Sequence, residues 1–343
     1  MKKLLNTLFV TTEDAYLTLD GENVVVKQSQ KEIGRFPLHI LENIYSYSYY
    51  GASPALIGAC ADRGIGLCFY TPTGRYLARV TGENNGNVLL RREQYRQADD
   101  KLKSLAIADN MILGKVYNSR WTIERTIRDY PLRVNVDELS EVSLHLKEAL
   151  KKIRLASTIE ELRGIEGEAA ESYFSVFDNL ILNQKEEFTF SGRNRRPPLD
   201  RVNAALSFAY ALLKNQCSSA LSSAGLDSYV GFMHVDRSGR ESLALDLMEE
   251  LRAPIADRFV VSMINQKMLK ADDFQISEDG AVLLNKEGRK VMIKNWQEHG
   301  KANITHPYLK EKMAWGLIPS IQAILLTRYL RNDIDGYPPF LWK

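Results

Sequence analysis

The spacing of apolar residues changes character once along this chain. From residue 4 to about residue 80 the apolar positions fall in short β-rich runs: Leu8-Phe9-Val10, Tyr16-Leu17-Thr18-Leu19 and Val24-Val25-Val26. Asp20-Gly21-Glu22-Asn23, between the last two, has the composition of a hairpin turn. Residues 31–36 and 40–47 read as further strands. Ser53 followed by Pro54 marks a helix start, so 53–63 reads as one helix. Gly66-Leu67-Cys68-Phe69-Tyr70 and Tyr76-Leu77-Ala78-Arg79-Val80 flank Pro72-Thr73-Gly74, a second hairpin signal. Tyr45, Tyr47, Tyr49 and Tyr50 fit a strand that packs against another subunit.

Gly82-Glu83-Asn84-Asn85-Gly86-Asn87 is polar and glycine-rich, a linker composition. Beyond it the spacing becomes helical. Residues 91–113 and 119–128 form long charged helical stretches, and Pro131 interrupts them. Residues 136–155 resume with Leu139, Val142, Leu146 and Leu150 on one stripe. Ser157-Thr158-Ile159-Glu160 is a capping-box pattern that opens another helix. Residues 200–213 read as a helix with Val202, Ala205, Leu206 and Ala209 inward. Phe274-Gln275-Ile276 and Ala281-Val282-Leu283-Leu284, about Asp279-Gly280, predict a small hairpin within the helical part. Residues 313–331 predict a helix that Pro319 kinks or divides. The expected fold is α+β. A small N-terminal β-rich, β-sandwich-like domain over 1–85 precedes a large, mainly α-helical domain over 86–343, with a hairpin near 274–285.

A length of 343 residues exceeds one ordinary domain. The formal net charge of +2 gives no global attraction to nucleic acid, so any basic surface must be local. Cys60, Cys68 and Cys217 are scattered and odd in number, without metal-site spacing, as in a cytoplasmic protein with reduced thiols. The apolar run after Met1-Lys2-Lys3 is broken by Asn6 and Thr7, unlike a signal peptide. No apolar stretch reaches the roughly 18 residues of a membrane span. A cytoplasmic protein with no membrane association is expected.

The chemistry concentrates in GLDSYVGFMHVDRSGRESLALDLMEELRAPIADR, residues 225–258. His234 stands on a short apolar segment ahead of a helix for which Ser242 is a candidate cap. Asp246 and Glu249, three apart on that helix, project from one side. With Glu250 they form an acidic cluster that favours a cation; a solvated acidic face is the competing reading. A further carboxylate comes from Glu166, which completes the apolar stripe Ile159, Leu162, Ala169, Tyr173. An inward charge must find a cation or be protonated. An ion pair to Arg163 is the alternative to a metal or catalytic role. Gly164 and Gly167 bracket Glu166 and suggest a close approach to the backbone. A mixed carboxylate and imidazole set suits Mn2+, or Mg2+ with waters. Such an ion stabilises charge as a P–O bond breaks.

Phe190-Ser191-Gly192-Arg193-Asn194-Arg195-Arg196-Pro197-Pro198 is a stiff basic loop, followed closely by Arg201. Its Arg193, Arg195 and Arg196, with Arg237 and Arg240 after His234, are candidate DNA phosphate contacts, because guanidinium donates in a planar fork. A solvated basic loop is the alternative. Tyr210 is expected to pack. His39, His145, His299 and His306 lack partner patterns, and structural, surface or loop roles are expected for them.

Three stretches, LRGIEGEAAESYF (162–174), NRRPPLDRVNAALSFAYALL (194–213) and the 225–258 segment, resemble the CRISPR-associated endonuclease and integrase of the spacer-adaptation module, the universal Cas adaptation integrase, in its subtype I-C form. The resemblance covers essentially the whole chain. It implies that Glu166, His234 and Glu249 are metal ligands and that Asp246 supports them. It further implies a homodimer formed through the N-terminal domains. A small ferredoxin-like adaptation partner would join it in a heterohexamer. Double-stranded DNA, as fragment and as CRISPR array, would be joined by 3′-hydroxyl attack on repeat-end phosphates. A general metal-dependent nuclease for branched DNA in repair is the alternative function; a non-catalytic DNA-binding scaffold fits the acid and histidine set less well.

Overall fold

The computed structural model describes residues 2–4, 6–12, 14–41, 43–71, 76–80, 88–194, 197–278 and 280–343. The linker at 82–87, the hairpin tip at 72–74 and Asp279 lie outside the described residues. A strand-rich N-terminal region precedes a helical C-terminal region, as expected. Two compact units emerge, and neither is continuous in sequence. The first comprises Met1–Arg96, Asn215–Ser228 and Pro319–Asp335; the second comprises Gln97–Lys214, Tyr229–Ile318 and Gly336–Lys343.

The strand-rich region contains β1 (Lys2–Leu4), β2 (Thr7–Val10), β3 (Ala15–Asp20), β4 (Asn23–Gln28), β5 (Lys31–Pro37), β6 (Asn43–Ser46), α1 (Pro54–Asp62), β7 (Gly66–Tyr70) and β8 (Tyr76–Val80). β3-β4-β5 form an antiparallel meander, and β1-β2-β6-β7-β8 form a five-stranded mixed sheet. Gly21, at φ +56°, makes the turn between β3 and β4. The next turn, Ser29-Gln30, also takes positive φ, 47° and 67°, without a glycine. A two-residue connection needs that geometry to match strand twist, so local strain is accepted there. β2 pairs with β6, and β6 with β7, in parallel. Ser53 caps α1 through the Leu56 N–H, with Pro54 at the first position, as the sequence indicates. One apolar core takes Leu8, Leu17, Val24, Ile44, Leu56 and Leu67 from both sheets and the helix. The four tyrosines divide. Tyr45 is buried and Tyr47 stacks on Tyr70 at 4.7 Å, whereas Tyr49 and Tyr50 stay 71% and 62% exposed.

The helical part holds α2 (Val88–Asp99), α3 (Lys101–Asp129), α4 (Val136–Ile153), α5 (Ile159–Ser175), α6 (Arg201–Ala224), α7 (Ser242–Glu249) and α8 (Arg258–Asn265). β9 (Phe274–Ile276) and β10 (Val282–Leu284) make the expected hairpin. Then come α9 (Lys286–Lys301), β11 (Asn303–Thr305), β12 (Lys312–Ala314) and α10 (Ile318–Leu330). The long helix expected over 91–113 is broken at Asp100, whose side chain caps α3 by accepting from the Leu102 and Lys103 N–H groups. Asn135 caps α4 and Thr158 caps α5 in the same way. Leu139, Ser143, Leu146, Ala149 and Ile153 line the buried side of α4.

One local expectation changes. Pro319 does not kink a helix over 313–331: Met313 lies in β12, and Pro319 sits in the first turn of α10, where its missing N–H costs nothing. His306 keeps its expected loop position but is fully buried there, its Nδ1 accepting from the Tyr308 and Leu309 N–H groups. No helix among the described residues is long and apolar enough to cross a membrane.

Candidate metal centre

All the groups described here belong to the second compact unit. Pro254 cuts α7 short. It has no N–H, and its ring crowds the preceding turn. The chain answers by widening into a π-helical stretch, Arg252–Asp257, before α8 begins. Such widenings concentrate at functional sites. Here the stretch sets Arg252 and Asp257 at its two ends.

The acidic cluster read from the sequence does not stay together. Asp246, Glu249 and Glu250 are all buried, and each turns to different partners. Asp246 accepts hydrogen bonds from the backbone N–H groups of Phe232 at 2.6 Å, Met233 at 3.0 Å and His234 at 3.0 Å. The His234 ring meets the same carboxylate through Nδ1 at 2.5 Å. Asp246 is therefore a positioning residue: it shapes the 232–234 segment and commits one ring nitrogen. Nε2 of His234 has no partner among the described residues, the arrangement in which a histidine presents its free nitrogen to a metal. Glu250 instead accepts from Tyr337 and from the Phe340 N–H, which fastens the C-terminal segment.

Gly231 is required here. A Cβ on it would stand 2.7 Å from Asp246 Oδ2 and 2.9 Å from Ser242 Cβ. Gly231→Ala is expected to push the Asp246 carboxylate off its N–H donors and cost about 1–3 kcal/mol, read as a lower denaturation midpoint. An unchanged midpoint would contradict this packing. Ser242 is not the cap of α7. It is the first helical residue, and its hydroxyl donates to the Val235 carbonyl.

Glu249 and Glu166 are brought together by a lysine for which the sequence gives no signal. Lys115 of α3 contacts Glu166 Oε1, and its ammonium lies 2.8 Å from Glu249 Oε2. The approach depends on the preceding residue. A Cβ on Gly114 would sit 2.7 Å from Glu250 Cβ and 3.3 Å from Pro339 Cβ, so only glycine lets α3 come this close to the end of α7. Arg252 binds the other Glu249 oxygen, Oε1, at 2.8 Å. Burial pushes the Glu249 carboxyl up, but Arg252, then Lys115, and more weakly His234 outweigh it and hold the group down to about 2. Oε2 is buried, and the Lys115 ammonium at 2.8 Å is its partner. The Arg163 alternative for Glu166 fails: that guanidinium donates to the Met233 carbonyl. Among the described residues nothing comes within 4 Å of where a Cβ on Gly164 or Gly167 would stand, so no close approach of the kind expected is made there by the described residues.

A second buried set adjoins through Arg252. Its guanidinium lies 5.0 Å over the Tyr210 ring. Tyr210 and Tyr173 both donate to Asp257, at 2.6 Å and 3.1 Å. Burial raises the Asp257 carboxyl, against the lowering pull of the two phenols and Arg252. Arg193 covers the same tyrosine ring at 5.4 Å, and its guanidinium donates to Asn203 and Ser207. That candidate phosphate contact is thus engaged within the chain. Arg195 and Arg196 lie outside the described residues. Arg237 is exposed and Arg240 half-buried, with no side-chain partner among the described residues.

Among the described residues no three His, Cys, Asp or Glu side chains are gathered closely enough to hold a metal as they stand. The position between the two carboxylates is taken by the Lys115 ammonium. The donor set nonetheless fits a hard divalent cation: two carboxylates already sharing one positive charge, and an imidazole oriented from behind by Asp246. Arg252 had a readable signal in its spacing of three from Glu249. Lys115 had none, being one lysine among several on a long charged helix.

The family profile for CRISPR associated protein Cas1 matches residues 8–298. The chain is 47% identical over 343 residues to the "CRISPR-associated endonuclease Cas1 1" of Chlorobaculum tepidum, covering 100% of both. Among solved structures it resembles a casposase bound to integration product, with a TM-score of 0.78, 21% identity and coverage of 98% and 99% of the two chains. It also resembles a chain of a partial Cas6-RT-Cas1–Cas2 complex, with a TM-score of 0.77, 24% identity and 98% of each chain covered. At those identities the structural likeness establishes the fold. The profile match over most of the sequence, and a relative nearly half identical from end to end, place this chain in the CRISPR-associated Cas1 family.

Proposed function

We propose that this chain is a divalent-metal-dependent DNA endonuclease and integrase of CRISPR spacer acquisition, with Glu166, His234 and Glu249 as ligands for Mn2+ or Mg2+. One observation carries the reading most directly: two carboxylates from α5 and α7 share a cation, beside a histidine held by a buried aspartate. A divalent ion held by Glu166, Glu249 and the free nitrogen of His234 would stabilise charge developing on a phosphodiester oxygen. The remaining roles fall to the chain itself. Asp246 fixes the tautomer and direction of His234. Arg252 keeps Glu249 ionised. Arg237 and Arg240, three and six residues past the histidine and without a side-chain partner among the described residues, suit phosphate oxygens and would set the register of DNA without reading its sequence.

The partners follow the relatives. A casposase with an integration product and a complex containing Cas1 and Cas2 share this fold. We therefore assign double-stranded DNA as substrate, both as fragment and as CRISPR array. The assembly we assign is a homodimer joined by a small ferredoxin-like adaptation partner in a heterohexamer, in the cytoplasm. The subtype I-C placement rests on the three sequence stretches alone. The test supplies purified protein with Mn2+, its small partner, fragments with free 3′-ends, and a supercoiled plasmid carrying a repeat array. Fragment joining at repeat ends is expected. Cutting of branched DNA without any joining would instead favour a repair nuclease.

Lys115 supplies a more specific test of the centre. It neutralises the carboxylate pair, so an incoming ion must compete with its ammonium. Lys115→Met is expected to bind Mn2+ roughly tenfold more tightly in calorimetry, the worth of one charged contact. The metal-free variant should also unfold at lower denaturant than the parent. Unchanged Mn2+ affinity would mean that the ion binds elsewhere.

A further inference from the structure

The first compact unit contains a basic cavity that the proposed activity does not use. It measures about 190 Å³. That is more than ten times the roughly 10–15 Å³ that admits one water. Arg63, Arg79, Arg328 and Arg331 line it, with Asn43 and Thr327, and no acidic side chain is among the lining residues. The arginines come from separate places: the C-terminal end of α1, strand β8, and the end of α10. Arg63 is neutralised by Glu22 at 2.8 Å and also donates to the Ala59 carbonyl. Arg79, Arg328 and Arg331 have no acidic partner among the described residues. The Nε–H groups of Arg79 and Arg328 are buried with no acceptor. Gly66 keeps part of this space clear: a Cβ there would lie 2.4 Å from Asn43 Oδ1 and 3.2 Å from an Arg79 guanidinium nitrogen.

Three uncompensated guanidinium groups around one cavity repel one another, and a buried N–H without an acceptor costs stability. A tetrahedral oxyanion removes both penalties, because guanidinium donors match its oxygens in pairs. A carboxylate offers only two oxygens on one side, whereas phosphate offers an acceptor oxygen to donors arriving from several directions. We infer that this cavity is a phosphate-binding site, lined by Arg79, Arg328 and Arg331 and remote in chemistry from the carboxylate centre. The phosphate comes either from solution or from a nucleic-acid backbone.

Inorganic phosphate, titrated into the full-length protein in low-salt buffer without metal, is the probe. It is expected to raise the melting temperature saturably and to bind in calorimetry. Arg79→Gln and Arg328→Gln should each weaken that binding about tenfold, as for one charged hydrogen-bonding group. Glu166→Ala should leave it unchanged. Without phosphate, Arg328→Gln should melt at or above the parent temperature, since it removes a repelling charge; this separates lost binding from lost folding. Duplex DNA then distinguishes the sources. If the phosphate belongs to a backbone, Arg328→Gln weakens duplex binding and lowers its salt slope by about one. If it is free phosphate, duplex binding is unaffected. No phosphate binding, or binding indifferent to both arginine variants, overturns the site. So does a variant whose only effect is a changed oligomeric state, which would make the cavity a seat for a second protein.

Discussion

Glu166→Ala is expected to abolish Mn2+-dependent DNA cleavage and strand joining while leaving most duplex affinity intact. The loss should exceed about a hundredfold, since even outer partners of a metal commonly contribute 10–100-fold and Glu166 is assigned directly to the ion. The fold should tolerate the change. The Glu166 side chain is 23% exposed, and its partner Lys115 keeps Glu249 at 2.8 Å. Duplex affinity should persist if it rests, as proposed, on arginine contacts to phosphate rather than on this carboxylate. The decisive measurement pairs single-turnover cleavage with DNA binding at one salt concentration. Joining at the parent rate by this variant rejects the assigned centre. Joint loss of cleavage and of DNA binding indicates a structural role for Glu166 instead.

Asp246→Ala should have the largest effect on stability. Its side chain is fully buried and answers three backbone N–H groups as well as the His234 ring. Alanine leaves those N–H groups buried and unpaired, at about 1–3 kcal/mol each before relaxation. A net loss of roughly 3–5 kcal/mol is expected, the scale on which removing one partner of a buried charged network is felt. Asp246→Asn separates the two functions of this residue. An amide keeps an acceptor for the Phe232 and Met233 N–H groups, but its NH2 then faces the His234 N–H and ring. Its denaturation midpoint should fall much less, while Mn2+ affinity should still drop about 10–100-fold. A stable alanine variant with full Mn2+ affinity would show that Asp246 positions nothing.

Much of the local structure was legible because its causes are local. Ser53-Pro54 and Thr158 mark helix starts through a side chain bonding an N–H within a few residues. The Gly21 turn and the 274–285 hairpin carry their own turn chemistry. Asp100 was missed, because it breaks a helix whose stripe appears continuous. The Ser29-Gln30 turn takes positive φ without glycine, yet the strands on either side of it were legible. The approach of Glu166 to Glu249 was foreshadowed by the place of Glu166 on an apolar stripe and by the family stretches. Its details were not. Asp246, Glu249 and Glu250 read as one cluster in the sequence, yet side chains this close on a helix diverge when packing offers each a different partner.

By itself, then, the sequence determined most of the succession of strands and helices, two helix caps and two hairpins, and which side chains had unusual reason to face inward. Those depend on interactions spanning a few residues. Only the tertiary structure decided that β2, β6 and β7 run parallel, that Gly114 lets Lys115 reach between two carboxylates, and that three arginines from distant segments share one cavity. Lys115 is 51 residues from Glu166. No periodicity links such positions, because the contact is made by packing surfaces whose fit depends on every side chain between them.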